Sequence, residues 1–155
     1  MEDHGAPGPQ PQVPLARYLT FKLARVHARL DAQVSRLLAH HANLSLAQWR
    51  ILSLIGRNPG STASELTVYS DMDKGLFSRK LKTLVSADLV RSAHDRTDAR
   101  VARLHLTPAG EEIFERTMPH MLSRQDVLRE RLGSERYDRM LEDLEILEGL
   151  AEEDL

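Results

Sequence analysis

Apolar residues recur every three to four positions along most of this chain, and the breaks in that period divide it into segments. Leu15, Leu19, Leu23, Val26, Leu30, Val34 and Leu37 follow the period without interruption, which predicts one long helix to about His40. Ser45 with Gln48 has capping-box spacing and opens a second helix through Trp49, Leu52 and Ile55, ended by Asn58-Pro59-Gly60. Thr62 and Glu65 repeat the spacing and start a short third helix carrying Leu66 and ending near Ser70. With Asp71 and Asp73 as candidate caps, a fourth helix runs to about Ala87 and has two distinct faces. Phe77, Leu81, Leu84 and Val85 form an apolar stripe, and Lys74, Gly75, Ser78, Arg79 and Lys82 share the opposite face.

The period then changes from helix to strand. Leu89-Val90-Arg91 reads as a strand and Ala102, Leu104 and Leu106 alternate as its return partner, with the polar segment His94 to Arg100 as the loop between them. Thr107 caps a fifth helix with Pro108 in its first turn, running to about Arg131 with Ile113, Phe114, Met118, Leu122 and Leu128 on one side. Pro119 falls inside it and is expected to kink it. Ser134 is expected to open a last helix, striped by Tyr137, Met140, Leu141, Leu144, Leu147 and Leu150. Leucine-striped helices at both ends of a chain of 155 residues need a surface to bury against, and a helical dimer interface supplies one.

The expected fold is therefore mainly α with a small β-wing (α+β), a winged helix–turn–helix lobe joined to a helical dimerisation domain. Residues 1–14, with four prolines and two glycines, read as a flexible tail. Residues 15–41 form the N-terminal dimerisation helix, 42–106 the DNA-binding lobe and 107–155 the C-terminal dimerisation helices.

Charge adds the expected partner. The net charge of −2 conceals eight Lys or Arg against three Asp between Lys74 and Arg103, and nine acids against two arginines from Gly133 onward. Double-stranded DNA responds to the local basic patch rather than to the whole chain. A helix with a cationic face, followed at once by an arginine-bearing hairpin, matches a major-groove reader with a wing that reaches the backbone or minor groove through Arg96 and Arg100. The competing reading of such a face is simple solvation; the wing beside it favours DNA.

Other chemistries find little support. The chain has no cysteine, which excludes disulfides and thiol chemistry. His40 and His41 are adjacent, so on a helix they point about 100° apart and chelate poorly together. No metal and no cofactor is expected. No motif organises Ser, His and Asp into a catalytic set, so the chain is not read as an enzyme. No stretch approaches the ~20 apolar residues of a membrane span, and a cytoplasmic protein is expected.

Taken together, LSLAQWRIL, NPGSTASEL, DKGLFSRKLKTLVSADLV, DRTDAR and LHLTPAGEE resemble, in order and spacing, the MarR-type winged helix–turn–helix regulators, over roughly Leu15 to Leu150. The resemblance implies a homodimer whose first, fifth and sixth helices interlock, with two lobes on a palindromic operator. It aligns Ser78 and Arg79 with the family's Ser-Arg pair in the recognition helix, and Asp98 and Arg100 with a wing pair that aims the arginine at the minor groove. Ala99 stands where an additional arginine is common. Asp88 stands where a glycine usually ends the recognition helix, a position that aspartate tolerates better than most residues.

The resemblance also implies a repressor released by a small molecule bound between the dimer helices and the lobe. In this chain Arg25, His27, His41, Trp49 and Arg50 fall in that region, and cations beside an aromatic suit an aromatic carboxylate or its coenzyme A thioester. The alternative is a DNA-binding or protein-interaction module with no small-molecule effector.

Overall fold

The computed structural model describes residues 14–70, 72–94 and 101–153. The expected tail up to residue 13, the candidate cap Asp71, and Arg96, Asp98 and Arg100 of the wing lie outside these residues. After a tight turn over Leu15–Arg17 come α1 (Leu19–His41), α2 (Leu46–Arg57), α3 (Ala63–Val68) and α4 (Lys74–Ser86). The strands β1 (Val90–His94) and β2 (Ala102–Leu106) follow, then α5 (Pro108–Leu132) and α6 (Ser134–Ala151).

Side-chain caps set most of these starts. Ser45 and Gln48 bond reciprocally, as do Thr62 and Glu65, so both expected capping boxes form. The Thr62 backbone N–H and side chain hold the Glu65 carboxyl below the usual carboxylate range, with a smaller contribution from Arg103. The Asp73 carboxylate accepts the Leu76 N–H at 2.8 Å and starts α4.

Two starts differ from the periodicity. The first helix begins four positions late, at Leu19, because the Pro14 carbonyl accepts the Arg17 N–H and closes a tighter turn. Tyr18 then sits extended between that turn and α1. Ser134 is the first residue of α6 rather than its cap; Gly133, at φ 81°, occupies the cap and offers no side chain. Pro119 lies on the exposed side of α5, and the helix continues through it.

α2 is the hub of the fold, packing on α1, α4, α5 and β2. Its Trp49, Ile51, Leu52 and Ile55 are buried with Leu38, Leu66, Phe77, Leu84, Val90 and Leu104 in one core. The hairpin is antiparallel, in register from Val90↔Leu106 to His94↔Ala102. Residues after the Asn58-Pro59-Gly60 break extend the sheet: the Gly60 N–H donates to Leu104 O, and the Leu104 N–H donates to Ser61 O, both at 2.9 Å. The Arg103 guanidinium donates to Gly60 O at 2.8 Å from the same strand.

The turn out of α4 aims the hairpin. Asp88 adopts φ 55°, its N–H bonds Val85 O, and the Leu89 N–H reaches back to Leu84 O. This is the Schellman arrangement that the missing glycine would have made, with Leu84 and Leu89 both buried beneath it. The buried Thr107 hydroxyl donates to Asp88 O and accepts the Gly110 N–H at 3.1 Å, so one oxygen joins the end of α4 to the start of α5. Thr107→Val removes a helix cap and leaves a carbonyl unpaired. Chemical denaturation is expected to show a loss of about 1–3 kcal/mol.

The two terminal helices are far less covered. Leu19 (53% exposed), Phe21 and Val26 on α1 and Met140, Leu141 and Ile146 (63%) on α6 are open, and α6 has no buried residue.

Candidate nucleic-acid interface

The helix α4 lies on α2 through Phe77 and Leu84, which are 2% and 0% exposed. That contact dictates what the other side presents. Lys74, Gly75, Ser78, Arg79 and Lys82 are all exposed, so the structure gathers the five recognition-helix residues on one open face. Val85, read as part of the apolar stripe, is 44% exposed instead. It follows the fully buried Leu84 by one residue, which turns it about 100° around α4 from the core contact. Gly75 leaves room beside Arg79: a Cβ there would sit 3.1 Å from Arg79 Nη1 and 3.1 Å from Asp73 Oδ1.

A contact that helix periodicity cannot reveal fixes α4 against the hub. Gln48, the third residue of α2, donates through Nε2 to Thr83 Oγ1 at 3.0 Å, and Thr83 in turn donates to Lys80 O at 2.7 Å. Gln48 thus caps α2 and grips α4 with one amide. The spacing of 35 residues hides the pair from a local reading.

On the other side of α2 lies an open cavity of about 300 Å³ between α1, α2 and α5. His27, Trp49 and Arg50 line it, together with Asp31, Met121 and Arg124. Trp49 is buried, its ring near-parallel to that of Phe114 at 6.2 Å, so it serves the core and one wall of the cavity together. His27 and Asp31 pair at 3.3 Å along α1.

Arg25 and His41 are not brought to the cavity. Arg25 is exposed on α1. His41 stacks on His120 at 3.8 Å between ring centres, and partial burial, then His120, His40 and Arg116, push its pKa down. The cation that sequence reasoning missed is Arg124, 74 residues beyond Arg50; nothing in its local pattern on α5 marks it.

Helix α4 on its hub, with the hairpin joined through the Asp88 turn, defines a winged helix–turn–helix protein. Residues 42–101 match the model of the MarR family. PetP, an HTH-type transcriptional regulator of Rhodobacter capsulatus, is 31% identical over 118 residues, which is 71% of this chain and 68% of PetP. The chain belongs to the MarR family of transcriptional regulators. Across three curated relatives the matched stretch spans 56%, 68% and 50% of the relative's own length.

Solved structures share the fold. FabT of Streptococcus pneumoniae, in complex with DNA, superposes with a TM-score of 0.74 at 18% identity, covering 86% of this chain and 95% of FabT. PcaV of Streptomyces coelicolor, in complex with its natural ligand, gives 0.73 at 19% identity, covering 92% of this chain and 100% of PcaV. Among the described residues no helix is long and apolar enough to cross a membrane.

Proposed function

We propose that the protein is a homodimeric repressor that holds a palindromic operator through α4 and the wing and is released by a small aromatic carboxylate. The observation that carries the DNA reading is the two-sided α4: Phe77 and Leu84 seal one side, and Lys74, Ser78, Arg79 and Lys82 stand open on the other. Lys and Arg on an open helix face neutralise phosphates, and Ser and Arg reach base edges in the major groove. Arg96 and Arg100 extend the contact into the minor groove or backbone, with Asp98 orienting Arg100. The DNA complex of FabT, which shares this fold, supports the docking.

The dimer reading rests on the apolar surface left open on α1 and α6. Residues 15–41 and 107–155 form its helical platform, and 42–106 the lobe it carries. The effector reading rests on the α1–α2–α5 cavity. At about 300 Å³ it lies at the small end of ligand sites, which favours a free aromatic acid over a coenzyme A thioester that would extend far outside.

Selection of duplexes from a random pool is expected to return a palindrome with half-site centres roughly 34–36 Å apart. Affinity should fall steeply between about 50 and 200 mM salt as phosphate counterions are released. A salt-independent affinity, or enrichment of no palindrome, would overturn the operator reading. Sedimentation equilibrium should show a dimer at micromolar concentration that Leu141→Glu shifts toward monomer; a monomeric wild type removes the platform.

A further inference from the structure

We propose that a second cavity, between the end of α2, the hairpin and the first turns of α5, binds a free α-amino acid with an apolar side chain. It shares no lining residue with the α1–α2–α5 cavity and does not rest on the effector reading.

The cavity has a volume of about 270 Å³, near the lower end of small-molecule sites. Ile55, Pro59, Leu106 and Phe114 give it apolar walls. Its charged groups come from two sides. Arg91 and His105 are cross-strand partners in the hairpin, and Glu111 and Glu115 stand one turn apart on α5. Among the described residues none of these four side chains has a hydrogen-bond or ion-pair partner, so the guanidinium and the two carboxylates share the cavity without neutralising one another. Glu112, the acid between them in sequence, is already paired with Arg116 at 3.1 Å.

This arrangement selects against a ligand of one sign. A simple acid would pair with Arg91 but meet two carboxylates, and a simple amine would pair with the glutamates but meet the guanidinium. Among the described residues no three His, Asp or Glu are placed to hold a metal ion, so His105 and the glutamates do not combine as ligands. A zwitterion satisfies both sides at once. Its carboxylate takes the Arg91 fork, its ammonium takes Glu111 and Glu115, and its apolar side chain covers Leu106 and Phe114. Such a ligand bridges the base of the hairpin to α5.

Isothermal titration of the full-length protein tests this with L-leucine, with 4-methylpentanoate, which lacks the ammonium, and with 3-methylbutylamine, which lacks the carboxylate. Wild type is expected to give saturable heat with leucine and to bind either fragment at least about tenfold more weakly. Arg91→Gln, and Glu111→Gln combined with Glu115→Gln, should each weaken leucine binding at least about tenfold, and Arg91→Lys should recover part of the first loss. All these variants should melt near wild type, because the three side chains are exposed. No saturable heat with leucine overturns the site. A fragment that binds as tightly as leucine overturns the zwitterion. Wild-type leucine affinity in Arg91→Gln and in the double glutamate variant removes the ligand from this cavity.

Discussion

Gly110→Ala is expected to cost on the order of 3 kcal/mol of stability and to lower the melting temperature by roughly 6–12 °C. The cause is backbone against backbone. A Cβ at Gly110 would overlap the Leu89 carbonyl oxygen, and would meet the Leu89 carbonyl carbon at 3.0 Å. That same oxygen accepts the Thr107 N–H at 3.1 Å. The first turn of α5 therefore lies directly on the residue that leads into β1, and neither side can yield as a flexible side chain would. Relief would require α5 to lift away from the hairpin, breaking the Thr107 cap and separating the long helix from the lobe. Gly75→Ala is the contrasting change, because the inserted carbon meets only the ends of the Arg79 and Asp73 side chains. It should melt close to wild type. A Gly110→Ala protein with an unaltered melting curve would refute the close approach of α5 to β1.

Arg79→Ala is expected to lose specific DNA binding by roughly 1–3 kcal/mol, about five- to 150-fold in affinity, while native mass and melting temperature stay at wild-type values. Its side chain is exposed on the face opposite Phe77, so truncating it opens no cavity in the core. The two ways in which Arg79 can contribute give different patterns. A base contact relaxes selection at one operator position, whereas a phosphate contact weakens every duplex alike and reduces the salt slope by about one. Binding measured against a set of single-position operator variants at two salt concentrations separates these. Wild-type affinity across the whole set would remove Arg79 from the interface.

The contrast between these two residues shows what a linear reading of the chain reaches. Arg79 was legible because a helix face is a local property: the spacing of Phe77, Leu81 and Leu84 dictates which residues lie opposite. The caps were legible for the same reason, since Ser45–Gln48, Thr62–Glu65 and Thr107–Gly110 each close within one helical turn. The Asp88 turn belongs with them, because its left-handed backbone is set by where α4 must stop. Gly110 stood in a quoted motif, yet what forbids a side chain there is Leu89, 21 residues earlier and brought close only by the hairpin.

The cavity divides along the same line. Trp49 and Arg50 belong to α2 and His27 to α1, and all three were found through the family pattern. Arg25 and His41 lie on α1 as well, but an α-helix distributes its residues around its whole circumference, and these two point elsewhere. Arg124 lines the cavity because α5 packs across α1, and Gln48 meets Thr83 because α4 packs across α2. The sequence by itself determined the order and ends of most helices, the two-sided character of α4 and the basic stretch that runs into the hairpin, all of which depend on interactions within a turn or two. The packing angles of α1, α5 and α4 around α2 are set by burial of one shared core, and only the tertiary structure decided which distant cations, amides and carbonyls that burial brought together.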